Sequence, residues 1–322
     1  MTAEIVWELA TRFGDYPAIA VHDRVVYGVA RKNGIDAVDL DTGEPRWHLP
    51  LDQVSYGPAI AEDAVYFATA KPELVAAARA DGEIRWTAAL SEAVYHAPVL
   101  ADGAVLVRTT AGTVVAFEAA TGAQRWSARY PGRGFDLCRP LVIAARVLVA
   151  HGDGLAVLDL ETGTCVTDIA LPELNVLLDD GDAVYSFAIH GTAIHVHDRS
   201  TFAVTRVVRL SWDAVDVLGP KSVAVRGVIY TVSAADRRVM RFDTTAASPA
   251  LEPLGVLSEG PLVVAGEQLY VTPHDEIVAI DLGTRDRVWS TSVPRSGFAS
   301  APVIASDLVV ATSEGKIAVV RR

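Results

Sequence analysis

Apolar residues in this chain fall in short runs of three to seven, each broken by Gly, Asp or a charged residue. Runs of that length predict strands joined by tight turns. The segment PAIAVHDRVVYGVARKNGIDAVDLDTGEPRWHLPL, starting at Pro17, shows the unit. Residues 19–21, 25–30, 35–40 and 45–51 each have the length of a strand. Between them lie His22-Asp23, Lys32-Asn33-Gly34 and Asp41-Thr42-Gly43, residues that tolerate positive φ or cap their own backbone. The unit is a meander of hairpins.

The unit recurs. Trp7, Trp47, Trp86 and Trp126 are 40, 39 and 40 residues apart, and Trp289 follows 163 residues later, close to a further four periods. Pro17, Pro58, Pro98, Pro140, Pro220, Pro261 and Pro302 keep the same beat. A strand-rich repeat of about 40 residues predicts an all-β fold, a β-propeller with one four-stranded antiparallel sheet per blade. Eight blades are expected in a single domain, at about 17–51, 58–90, 98–130, 140–171, 177–210, 220–254, 261–293 and 302–322. The last has only three strands and lacks the one that carries a Trp. The segment EIVWELAT is otherwise unassigned, so residues 4–11 are expected to supply that strand and close the ring. Closure removes the exposed edge of an open array.

Composition narrows the function. The chain has 322 residues, 51% of them hydrophobic, ample for a large core, yet no apolar run reaches the roughly 18 to 20 residues of a membrane span. The first residues, MTAEIVWELATRFGDY, carry no basic and apolar leader, so a cytoplasmic location is expected. A net charge of −12 disfavours nucleic acid, because no cationic field replaces phosphate counterions. Cys138 and Cys165 show no metal-ligand spacing and read as free thiols.

The stretch Ala37-Val-Asp39-Leu-Asp-Thr42-Gly43-Glu-Pro-Arg-Trp47 fits AxDxxTGxxxW. Ala116, Thr121, Gly122 and Trp126 repeat it with Glu118 in place of Asp, and Ala279, Asp281, Thr284 and Trp289 repeat it with Arg285 in place of Gly. Ala76, Gly82 and Trp86 keep part of it; Asp159, Thr162 and Gly163 keep another part, and Thr167, Arg206 and Leu251 stand in place of Trp in blades four to six. Over nearly its full length the chain resembles the PQQ-like (quinoprotein) propeller repeat. The closer likeness is to non-catalytic members, such as BamB-type assembly factors and the sensor propellers of bacterial kinases. Quinoprotein dehydrogenases carry a vicinal cysteine pair over the quinone; here the cysteines are 27 residues apart, so no quinone and no other cofactor is expected. BamB-type proteins are lipoproteins, and the sequence shows no lipobox, so that cellular role is not expected to carry over.

In such a ring, the connections between blades gather around one mouth of the central channel. Nine residues beyond each docking Trp lies an aromatic: Tyr16, Tyr56, Tyr95, Phe135 and Phe298, with Trp212 at a comparable place. They read either as an aromatic collar that grips a ligand or as plugs between the innermost strands. His96, with Arg133, Asp136 and Arg139 one blade on, is the best polar constellation, suited to an anion or to acid–base work. His195 and His197 alternate along one strand, with His190 nearby. They read as a metal chelate or as histidines packed between sheets, and no metal is expected. Ser313-Glu-Gly-Lys316 fits SxxK but falls on a hairpin rather than a helix, and Asp39-Leu-Asp41-Thr-Gly43 lacks the distal Glu of a calcium loop.

The expected function is a non-catalytic binding scaffold that holds a protein segment or small ligand at the channel mouth. The alternative is an enzyme of lyase, hydrolase or isomerase type using the same mouth, since propellers host such chemistry.

Overall fold

The computed structural model describes residues 4–10, 18–30, 34–51, 54, 57–69, 71–130, 138–171, 174, 176–188, 191–210, 221–233, 235–274, 276–292, 301–313 and 316–321. Within them the chain forms eight antiparallel four-stranded sheets and no helix. In the first blade the strands are Ala18–His22, Val25–Ala30, Gly34–Asp39 and Pro45–Leu49. The predicted meander stands; its fourth strand ends at Leu49 rather than at residue 51.

The first strand of each blade lines the inside of the ring. Ala18–His22 touches Ala59–Ile60 on one side and Val303–Ala305 on the other. The middle strands are covered on both faces, and every residue of Ala64–Thr69 and Ala104–Arg108 is buried. A strand sandwiched between two sheets needs apolar side chains at successive positions, which is why the runs do not alternate. The outer strands do alternate, as Ile84–Ala89 shows. The eighth sheet joins Val303–Ala305, Leu308–Ser313 and Lys316–Arg321 to the N-terminal strand Glu4–Ala10, which pairs with Lys316–Arg321. The expected closure is thus present.

Each docking Trp leans onto the turn between the third and fourth strands of the next blade. Trp7, Trp47, Trp86 and Trp126 donate their indole N–H to the carbonyls of Leu40, Arg79, Ala119 and Leu160 at 2.7, 2.9, 3.0 and 2.8 Å. The ring covers the turn glycine. A methyl group on Gly163, whose φ is 70°, would sit 2.5 Å from Cδ2 of Trp126, so the site excludes a side chain. The motif Asp shapes the turn: Asp39 Oδ1 accepts the backbone N–H groups of Asp41 and Thr42 at 2.9 and 3.0 Å. Asp159, Asp198 and Asp281 do the same. The motif Ala has its own role. It faces the Trp across the ladder in Ala37–Trp47, Ala76–Trp86, Ala116–Trp126 and Ala279–Trp289, leaving room for the indole beside a bulge.

Where the Trp is lost, its surroundings change with it. Val157 faces Thr167 and Val196 faces Arg206. At the interface between blades four and five the aromatic ring has changed sides. Phe202 occupies the turn position that is Gly in blades one to four, at φ 61°, and packs its side chain among Leu148, Leu155 and Val157 of blade four. In blade six the repeat count puts Leu251 at the Trp position, but the structure corrects this. The bulge lies between Arg238 and Met240, so Glu252 stands opposite Arg241. Glu252 binds Arg241 at 3.4 Å and, across the blade interface, Arg285 at 3.1 Å. Arg285 is the residue in the Gly position of blade seven, so an ion-pair set replaces the indole-on-glycine contact. Trp289 faces the closing blade, whose third and fourth strands come from opposite ends of the chain. Its indole N–H is buried with no acceptor among the described residues.

Candidate functional site

The inner strands of blades four to seven wall a cavity of about 370 Å³ in the channel. Leu141, Leu177, Val223 and Val264, one from each blade, give apolar side chains to a lining of mixed polarity. Two charged side chains reach it, Arg139 and Asp179. Asp179 is engaged at both oxygens: Arg199 binds Oδ1 through Nε at 2.9 Å and Oδ2 through Nη2 at 3.0 Å. That pairing pushes the Arg199 guanidinium above its ordinary pKa. Arg139 is exposed, and no ion pair ties it to a carboxylate among the described residues. Ser222, also in the wall, turns its hydroxyl to Thr231 Oγ1 at 2.8 Å.

Arg108 fixes the chain segment that delivers Arg139. It is 2% exposed and ends an otherwise apolar strand. Its Nη1 donates to the Cys138 carbonyl at 3.2 Å and its Nη2 to the Tyr130 carbonyl at 3.3 Å. The sequence reading missed this residue, although the signal was visible: a charged residue closing the run Ala104-Val-Leu-Val-Arg108.

Of the residues expected at the mouth, three are described. Tyr95 is 43% exposed and His96 is half-buried beside it, both on the connection into blade three. Arg139 is in the cavity wall. Tyr16, Tyr56, Phe135, Asp136, Trp212 and Phe298, with Arg133 and His190, lie outside the described residues. The plugging role does not fall to Tyr95. Its neighbour Val94 is buried, bridges to Thr109 and joins the core between blades two and three. Val54 does the same one blade earlier, bridging to Thr69. These valines lie seven and eight residues beyond Trp47 and Trp86, just short of the aromatic positions.

The two histidines of blade five are packed between sheets. His197 is fully buried; its Nδ1 lies 2.8 Å from the Phe202 carbonyl and its Nε2 lies 2.7 Å from Ser186 Oγ. A carbonyl only accepts, so in the neutral ring Nδ1 carries the hydrogen and Nε2 accepts from the serine. With both nitrogens used, His197 has no lone pair to offer a cation. Burial pulls the pKa of His195 and of His197 below the usual histidine value. The folded protein therefore resists protonation that the unfolded chain accepts below about pH 6.5. Stability should fall as pH drops through that value, by up to about 1.4 kcal/mol per pH unit for each histidine. Urea melts between pH 8 and pH 5 should show this slope, and it should flatten in a His195→Gln/His197→Gln variant. A second loss is expected below about pH 4. There the turn carboxylates, held below their ordinary pKa chiefly by Arg46 at Asp39 and by local donors at Asp159, Asp198 and Asp281, take up protons.

No helix among the described residues is long and apolar enough to cross a membrane. The family model described as outer membrane protein assembly factor BamB matches residues 31–250 and 225–321. No curated protein matches the chain. Among solved structures, BamB from Moraxella catarrhalis is similar with a TM-score of 0.79 and 16% identity, over 100% of both chains. The computationally designed Ika8 protein gives a TM-score of 0.78 at 14% identity, over 99% of each chain. The quinohemoprotein alcohol dehydrogenase ADHIIG from Pseudomonas putida HK5 gives 0.74 at 12% identity, over 99% of this chain and 76% of that one. At such identities these likenesses are of fold alone. The family match extends over nearly all of the ring, through blades with and without the docking Trp, and the chain belongs to the BamB family of PQQ-like repeat propellers.

Proposed function

We propose that the protein is a non-catalytic binding propeller that holds a protein segment at the channel mouth. The observation that carries this reading is the cavity of about 370 Å³, open to solvent, of mixed polarity and walled by four successive blades, with exposed Arg139 in its wall. Concavities that join apolar walls to placed polar groups are the usual form of a binding site. Exposed Tyr95 beside His96 adds an aromatic anchor of the kind that dominates binding energy. Tyr16, Tyr56, Phe135, Asp136, Trp212 and Phe298 are candidates for the same collar by their place in the repeat alone. The family is named for an assembly factor, which favours a protein partner over a substrate.

Tyr95→Ala and Arg139→Gln test the reading separately. Both side chains are exposed, so each change should leave stability within about 0.5 kcal/mol. A partner retained by the wild-type protein from the native host should be lost from both variants while melting is unchanged. Retention that ignores both substitutions places the partner elsewhere.

A further inference from the structure

We propose that the channel cavity binds a small aliphatic carboxylate, with its chain between the inner strands and its carboxylate on Arg139. The inference rests on the binding reading of this cavity and adds a small-molecule ligand to it.

Shape and charge select that chemistry together. Leu141, Leu177, Val223, Ala224 and Val264 offer an alkyl chain apolar contact along one part of the wall, beside the polar side chains of Asp179, Ser222 and Arg139. The volume of about 370 Å³ lies at the small end of ligand pockets, which suits one short chain rather than a bulky ring system. The two charged groups in the wall are not equivalent. Asp179 is neutralised by the two-point grip of Arg199, whereas Arg139 has no carboxylate partner among the described residues. Among the described residues, the cavity thus carries one positive charge without a carboxylate partner, set beside apolar side chains. A planar guanidinium fork matches a carboxylate in two-point geometry. A cationic head would be repelled by Arg139, and a neutral polyol would strand its hydroxyls against leucine and valine. Arg108 keeps the geometry in place, since it ties down the carbonyl of Cys138, the residue before Arg139.

Calorimetric titration of the full chain with hexanoate, octanoate and decanoate tests the proposal, with 1-octanol and octylammonium as controls. Affinity should rise about fourfold per added methylene as apolar surface is buried. Octanoate should bind at least about tenfold more tightly than octanol or octylammonium. Arg139→Gln should erase the preference for octanoate over octanol and keep the dependence on chain length. Ala224→Trp, which fills the cavity, should abolish binding of all three alkanoates. Equal binding of octanoate and octanol, no dependence on chain length, or no binding of any alkanoate overturns the proposal. If no alkanoate binds while partner capture still depends on Tyr95, this inference falls and the binding reading stands.

Discussion

Removal of residues 1–10 is expected to lower the melting temperature by at least about 10 °C, or to leave a chain that aggregates instead of folding. Two losses combine. The strand Glu4–Ala10 covers the edge of Lys316–Arg321, and without it six residues of a central strand become an open edge. Trp7 also leaves the turn of blade one, where its indole covers Gly43 and binds the Leu40 carbonyl. Losing a packed Trp alone costs about 3–5 kcal/mol, a large share of the roughly 5–15 kcal/mol that holds a typical domain. Differential scanning calorimetry of the truncated protein checks this, with Trp7→Ala in the full chain as the milder case. An unchanged melt would mean that the N-terminal strand does not close the ring.

The second large effect concerns the interface between blades four and five. Phe202→Gly should destabilise by about 2–4 kcal/mol, because the cavity left among Leu148, Leu155 and Val157 outweighs the relief of a positive-φ residue. Thr167→Trp should also destabilise, by about 1–3 kcal/mol, since the space is already filled. Combined with Val157→Ala, the two changes rebuild the arrangement of Trp126 on Gly163, and most of the stability should return. Chemical denaturation of the single and combined variants gives the coupling energy. Additive losses would show that Phe202 does not stand in for the missing indole.

The sequence made the ring legible because the features that build it recur with the blade. Trp47, Trp86 and Trp126 must reach a glycine turn one blade on, so Trp and Gly keep a fixed spacing. Trp7 announced the closing strand by the same rule. What stayed hidden were exchanges between positions on different blades. Thr167 looks like simple loss until Phe202, 35 residues later, is seen to fill the same space. Leu251 was misplaced because a bulge moved, and counting residues assumes that bulges stay put. The candidate site was legible in part. Arg139 and Tyr95 stand out by type and place, whereas the apolar lining of the cavity looks like any inner strand. Val54 and Val94, which fill the wedges between blades, carry no mark that separates them from other core valines.

The central claim is that partners meet this propeller at the channel mouth rather than along its outer edges. A photo-crosslinking residue placed at position 95, and separately at 139, in cells of the native host tests it most directly. Position 84 on the outer strand Ile84–Ala89 provides the control, because Ile84 is also exposed, at 49%. A discrete protein adduct from positions 95 and 139 and none from 84 is the predicted result. Adducts from position 84 with none from 95 or 139 would contradict it.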